Sequence, residues 1–126
     1  MEDWIEKEVT KLVEKYGVVP PLWVIFPDEH PYSICWRMGY GEEYVEVWGQ
    51  WWDNQGFNES QRIEYFRKWP PPARWLEWTI DAIWDIRPWE NEPDFDYTPY
   101  FSRLENLGFG SKQDYESDLN DPKWLA

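Results

Sequence analysis

The chain has 126 residues, with 25 Asp or Glu against 12 Lys or Arg, a formal net charge of −13 at pH 7 and an aromatic fraction of 21% that includes 12 Trp. This balance excludes a main role in gripping phosphate backbones, which needs a basic face, because Lys and Arg supply that affinity by displacing counterions. It also excludes a disordered acidic tail, since chains that stay unfolded are poor in aromatic residues.

Residues 5, 9, 12, 13 and 16 (Ile5, Val9, Leu12, Val13, Tyr16) fall on one helical face, and Gly17 is placed to end that helix in a left-handed cap. From Val18 to Tyr40, the prolines at 20, 21, 27 and 31 break any long helix. This stretch reads as an extended connection with room for a small β element in its apolar pieces Leu22 to Phe26 and Ile34 to Trp36. After Gly39-Tyr40-Gly41, the residues Tyr44, Val45, Trp48, Trp51 and Trp52 recur every three or four positions, which predicts an amphipathic helix.

Asn58 is positioned to cap a third helix through Trp69, which stops at Pro70-Pro71-Pro72. A fourth follows, with Trp75, Leu76, Thr79, Ile80, Ile83 and Trp84 facing inward and Glu77, Asp81 and Asp85 marking its wet side. Thr98-Pro99 supplies a cap and first-turn proline for a short helix ended by Gly108, and Ser111 caps one more toward Leu119. The expected fold is therefore mainly α: a single compact helical domain over 1–126 with about five helices and a small β element in 18–40. Trp4, Trp48, Trp51, Trp52, Trp75 and Trp84 are its expected core indoles.

Three motifs that could carry small-molecule chemistry reduce to structural roles. His30 and Cys35 are single in kind and five apart, and a thiol with an imidazole can be a nucleophile pair, but Cys35 lies between Ile34 and Trp36 in core-like sequence. Asp28, Glu29 and His30 are consecutive and point apart, so no metal site is expected. Gly39-Tyr40-Gly41 could open an anion cradle at a helix start, yet Glu42 and Glu43 would fill it with their own charge; the alternative is a tight turn with Arg37 paired to a nearby acid. No cofactor and no catalytic residue are expected.

The charge is uneven: residues 1–58 hold 11 acids and 4 bases, 59–87 hold 5 and 5, and 88–126 hold 9 and 3. Its densest acid alternation is Glu90, Glu92, Asp94 and Asp96, set among Trp89, Phe95 and Tyr97 where Pro88, Pro93 and Pro99 prevent a helix. In an extended chain the four acids share one side and Phe95 and Tyr97 the other. Either the rings fold back onto the helices, or acids and rings face a partner together. Trp78, at the edge of its helix face, joins these residues as a candidate anchor, since exposed indole beside carboxylate suits a basic partner.

The opening Met1-Glu2-Asp3-Trp4-Ile5-Glu6 lacks the basic and apolar regions of a secretory leader, and the apolar run Leu22 to Phe26 is far short of the ~20 residues that cross a bilayer. A lone Cys35 suits a reducing compartment. The expectation is a cytoplasmic, non-enzymatic acidic binding protein that neutralises a basic protein partner, with no direct nucleic-acid or membrane contact. Immunity proteins and inhibitors of nucleases share this size and charge, an analogy of class only. Alternatives are a nucleic-acid mimic, which requires rows of exposed acids along one face, and a small-ligand or carbohydrate-binding domain or enzyme subunit, which requires a ring-lined cleft.

Overall fold

The computed structural model describes residues 2–87, 90 and 95–125. Among these there are seven α-helices and no strand: α1 (Asp3–Tyr16), α2 (Leu22–Ile25), α3 (Gly39–Gln55), α4 (Glu59–Lys68), α5 (Leu76–Trp84), α6 (Thr98–Asn106) and α7 (Lys112–Leu119). Short 3₁₀ turns occupy Ile34–Arg37, Ala73–Trp75 and Pro122–Leu125. Contacts divide the chain into two compact units, Met1–Phe57 and Asn58–Ala126.

In the first unit, α1 carries Asp3 and Glu6 in its first turn and Lys15 in its last, each at the dipole end that favours it. Gly17 closes it at φ 85°, its N–H reaching the Val13 carbonyl at 2.8 Å. Ile5 and Leu12 are buried, but Val13, expected on the same face, is exposed. The anticipated β element between 18 and 40 is replaced by α2 and the Ile34–Arg37 turn. The prolines explain this: each removes a ladder donor, while Pro21 leaves its carbonyl free to accept from Val24 N at 3.1 Å and so starts a helical turn.

Helix α3 supplies half of this unit's buried apolar side chains. Tyr44, Val47, Trp48, Trp51 and Trp52 are buried, whereas Val45, which the spacing had placed inside, is exposed. Trp48 and Trp52 stack with centroids 4.8 Å apart, and Phe57 packs edge-on against Trp51 and Trp52. Tyr44 Oη donates to the Pro20 carbonyl at 2.5 Å, tying α3 to the proline segment. Gly41 is required by close approach, because a Cβ there would lie 2.0 Å from the Cys35 carbonyl oxygen. Of the expected core indoles, Trp4 is exposed, while Trp23, not among them, is buried.

In the second unit, Asn58 and Gln61 form a reciprocal capping box at the start of α4, as Asn58 predicts. Phe66, Trp75, Leu76, Ile80, Ile83 and Leu104 are almost fully buried; each contributes roughly 1.5–3 kcal/mol of hydrophobic stabilisation. Pro70 to Pro72 end α4, and the 3₁₀ turn Ala73–Trp75 feeds directly into α5. Arg62 Nη1 donates to the Ile83 carbonyl at 2.9 Å, satisfying a C-terminal acceptor of α5. Arg74 is buried with its N–H and guanidinium on Asp118 Oδ2, at 2.9 and 3.5 Å, and its guanidinium over the Trp124 ring. Ser111 and Asp114 cap α7 reciprocally. Thr98 is the first residue of α6 and not its cap. The N-cap position is Tyr97, so the helix starts one residue early for a Thr98 cap, and the Thr98 N–H is taken by Asp96 Oδ1 at 2.9 Å.

Candidate functional site

On α5, positions 77, 81 and 84 lie on one side of the helix, next to the buried stripe of Leu76, Ile80 and Ile83. The sequence places Glu77 and Asp81 on a wet face. The structure corrects this: both are half-buried and roofed by tyrosines from outside the helix. Tyr97 Oη donates to Asp81 Oδ1 at 2.8 Å, and Tyr115 Oη donates to Glu77 Oε2 at 3.1 Å. Loss of water around Asp81 pushes its carboxyl up to about 7; the Tyr97 hydrogen bond opposes the shift and the Glu77 charge adds to it.

Trp84, the third member of this side, was expected in the core and is half-exposed instead. Its Nε1 donates to Glu59 Oε1. Its ring lies 5.6 Å from Tyr100, which stacks on Phe95 at 6.1 Å and 25°, and Phe95 meets Tyr97 edge-on at 5.0 Å. Arg103 sits over both Tyr100 and Trp84, at 5.2 and 5.8 Å from the ring centroids. Rings from α5, α6 and the segment before α6 thus form one connected strip.

Two open hollows flank Trp84. One, of about 460 Å³, is lined by Trp84, Asp85, Ile86, Arg87, Glu90, Phe95 and Tyr100. The other, of about 490 Å³, is lined by Glu59, Ile63, Trp84, Arg103, Asn106 and Leu107. Neither includes Asp81 or Glu77 in its lining. Exposed Arg87 bridges Asp85 and Glu90 at 3.6 and 3.7 Å. Solvent-facing pairs at such distances contribute little and can be displaced.

The sequence-predicted residues separate as follows. Trp89, Glu92 and Asp94 lie outside the described residues. Glu90 is exposed at the rim of the first hollow, Phe95 belongs to the ring strip and Tyr97 to the Asp81 contact. Asp96 points to solvent, its carboxyl held below the usual range by the Thr98 backbone hydrogen bond. The period-two alternation therefore appears over 95–97, with rings inward and the acid outward. Trp78 sits in a different environment, edge-on to Phe66 at 6.2 Å and to Trp75 at 5.8 Å. Sequence reasoning passed over Glu59, Trp84, Asp85 and Tyr100. The signal available for Trp84 was its i+3 and i+7 spacing from Asp81 and Glu77.

The other motifs have structural explanations. His30 Nδ1 accepts from Tyr32 N at 3.0 Å, and the Cys35 thiol is pushed up by burial, the opposite of an activated nucleophile. Gly39 turns at φ 58° and Gly41 packs on Cys35, so the glycines serve a tight turn. The paired arginine expected there is absent: among the described residues the Arg37 side chain has no ion pair or hydrogen bond. Among those residues no group of three His, Cys, Asp or Glu could hold a metal ion, and no helix is long and apolar enough to cross a membrane. No protein-family model, curated protein or solved structure matches this chain.

Proposed function

We infer that this protein is an acidic binding protein that captures and neutralises a basic macromolecular partner, in the manner of an immunity or anti-defence inhibitor, without cofactor or catalysis. The observation that supports this reading best is the ring strip Trp84–Tyr100–Phe95, rimmed by exposed Glu59, Asp85, Glu90 and Asp96. Aromatic side chains supply contact area at small entropic cost, and the surrounding carboxylates accelerate encounter with a cationic surface. A partner's Lys or Arg entering the first hollow would replace Arg87 between Asp85 and Glu90, exchanging one weak exposed pair for another while burying ring surface.

The test has two steps. The tagged chain, expressed in its own host, is purified with its partner, and the partner's association rate is measured across ~0.05–0.5 M salt. The expected partner has a basic isoelectric point, and its association slows as salt rises while dissociation changes less. Changing Glu59, Glu90, Asp85 and Asp96 to Gln or Asn slows association about tenfold or more, and because the amides keep an acceptor for Trp84 Nε1 at 59 and for the Thr98 N–H at 96, thermal unfolding shifts little. An acidic partner, or association indifferent to salt, overturns the reading.

A further inference from the structure

We propose that the turn spanning residues 30–41 of the first unit is a self-association surface that meets the same surface on a second copy of this chain. Tyr32 and Ile34 are each 70% exposed and Met38 is 59% exposed, with Tyr40 exposed beside them. Four large apolar side chains are open to water within nine residues, Tyr40 among them leaning on Phe26 and Tyr44 with its hydroxyl on Glu8, and exposed apolar surface this dense marks interfaces.

The exposure is built into a well-tied turn. Ser33 Oγ accepts from Cys35 N at 3.2 Å and donates to Glu29 at 2.8 Å. Trp36 Nε1 donates to the His30 carbonyl at 2.8 Å, and its ring packs edge-on to Phe26 at 5.1 Å. Gly41 lies against the Cys35 carbonyl with no room for a Cβ. The inward positions are filled by Cys35 and Trp36, so Tyr32, Ile34 and Met38 are held outward. A preorganised patch loses little conformational entropy on docking.

Charge identifies the occupant. Residues 30–41 contain no Asp or Glu, and Arg37 is their one fixed charge on a chain of net −13. The Arg37 side chain is exposed, with no ion pair or hydrogen bond among the described residues. A cationic partner is drawn to the acid-dense faces, and the sign of Arg37 is wrong for it. A second copy, by contrast, brings carboxylates to Arg37, since Glu8 on the Tyr40 hydroxyl and Glu29 on Ser33 border the same turn. Exposed Asp28, Glu42 and Glu43 flank the turn in sequence. Across a twofold axis, Arg37 of each copy meets flanking carboxylates of the other while the apolar side chains cover one another; an isologous interface requires this self-complementarity.

Sedimentation equilibrium of the full chain, from about 1 µM to 1 mM at ~0.15 M salt, tests the proposal. The expected result is a concentration-dependent shift from the 15.5 kDa monomer to twice that mass. Ile34→Glu with Met38→Glu abolishes the dimer. Arg37→Glu weakens it at least tenfold, and mixing the Arg37→Glu chain with a Glu42→Arg, Glu43→Arg chain restores association as a heterodimer. A wild-type chain that stays monomeric at 1 mM overturns the proposal, and this holds even where a variant fails to fold. So does a dimer that survives the Ile34, Met38 double substitution. Capture of a basic partner is read separately: a monomeric variant that still captures it leaves the functional reading standing, and a dimer that captures nothing removes that reading alone.

Discussion

In the first unit the covered rings of Tyr44 and Trp36 end on backbone carbonyls and the exposed Trp4 and Tyr40 on carboxylates, whereas in the second the covered rings of Tyr97 and Tyr115 end on carboxylates of α5 and Trp124 on a backbone carbonyl. The exposed surfaces differ to match. Every large apolar side chain that is exposed among the described residues belongs to the first unit. The second unit roofs the acids of α5 with tyrosines, which closes the polar side of that helix, and its rings are half-buried against one another. The first unit covers its proline segment with α3 but leaves the 30–41 turn bare. The same aromatic-rich, acidic composition thus gives two solutions, one in which tyrosines close over the acids of α5 and one that leaves large apolar side chains of the 30–41 turn open to water.

The sharpest way to break the second solution is to remove a carboxylate that has become structural. Asp118 accepts from the Arg74 N–H and guanidinium and also pairs with Lys123 at 3.5 Å. Asp118→Ala removes a carboxylate partner of the buried Arg74 guanidinium, which lies over the Trp124 ring. The expected loss is about 2–4 kcal/mol in denaturant unfolding, from the charge-assisted hydrogen bonds removed at a buried site. Unchanged stability would show that the Asp118 carboxylate is not what holds Arg74 in place.

Asp81 gives a smaller effect with a definite pH signature. Its folded value of about 7 lies above the ordinary 3.8, mainly because burial disfavours the charge. The native state therefore holds this proton more tightly than the unfolded chain does. The resulting stability is fully present below about pH 4 and is lost as pH rises through 7. Solvent reaches the half-buried carboxyl, so the contribution is about 1–2 kcal/mol, below the full value of the shift. Asp81→Asn keeps an acceptor for Tyr97 and removes the titration. The difference in stability between variant and wild type should therefore grow in the variant's favour between pH 5 and 8. A difference that is flat across this window would place Asp81 in ordinary solvent.

Much of the helical plan was legible because it rests on local chemistry. Gly17 and Asn58 mark helix boundaries through backbone conformation and capping, and Ser111 with Asp114 does the same. The errors arise where tertiary contact decides. Nothing in the spacing of Glu77 and Asp81 reveals that Tyr97 and Tyr115 descend on them, since those tyrosines are 16 and 38 residues away from their partners. The β element failed for a related reason: an extended apolar run needs a partner strand, and Leu22–Ile25 closed a helical turn on Pro21 instead. The acidic segment was legible as chemistry, and over 95–97 as alternation, but the ring strip it joins depends on Trp84 and Tyr100 arriving from two helices.

The mildest prediction separates close packing from open space within a single helix. Gly41 and Gly49 both lie in α3, yet a Cβ at Gly41 would meet the Cys35 carbonyl at 2.0 Å, while one at Gly49 would meet nothing within 4 Å. Gly49 has no positive φ that would strain an alanine. Its glycine therefore confers only a flexible unfolded chain and a weak helix interior. Gly49→Ala should stabilise the first unit by roughly 0.5–1 kcal/mol, and amide hydrogen exchange along α3 should slow accordingly. Since the residue touches none of the polar bonds that close the second unit, exchange in α5 through α7 should keep its rate. Slowing there as well would mean that the two units open together, and the contrast between them would then describe two surfaces of one cooperative body.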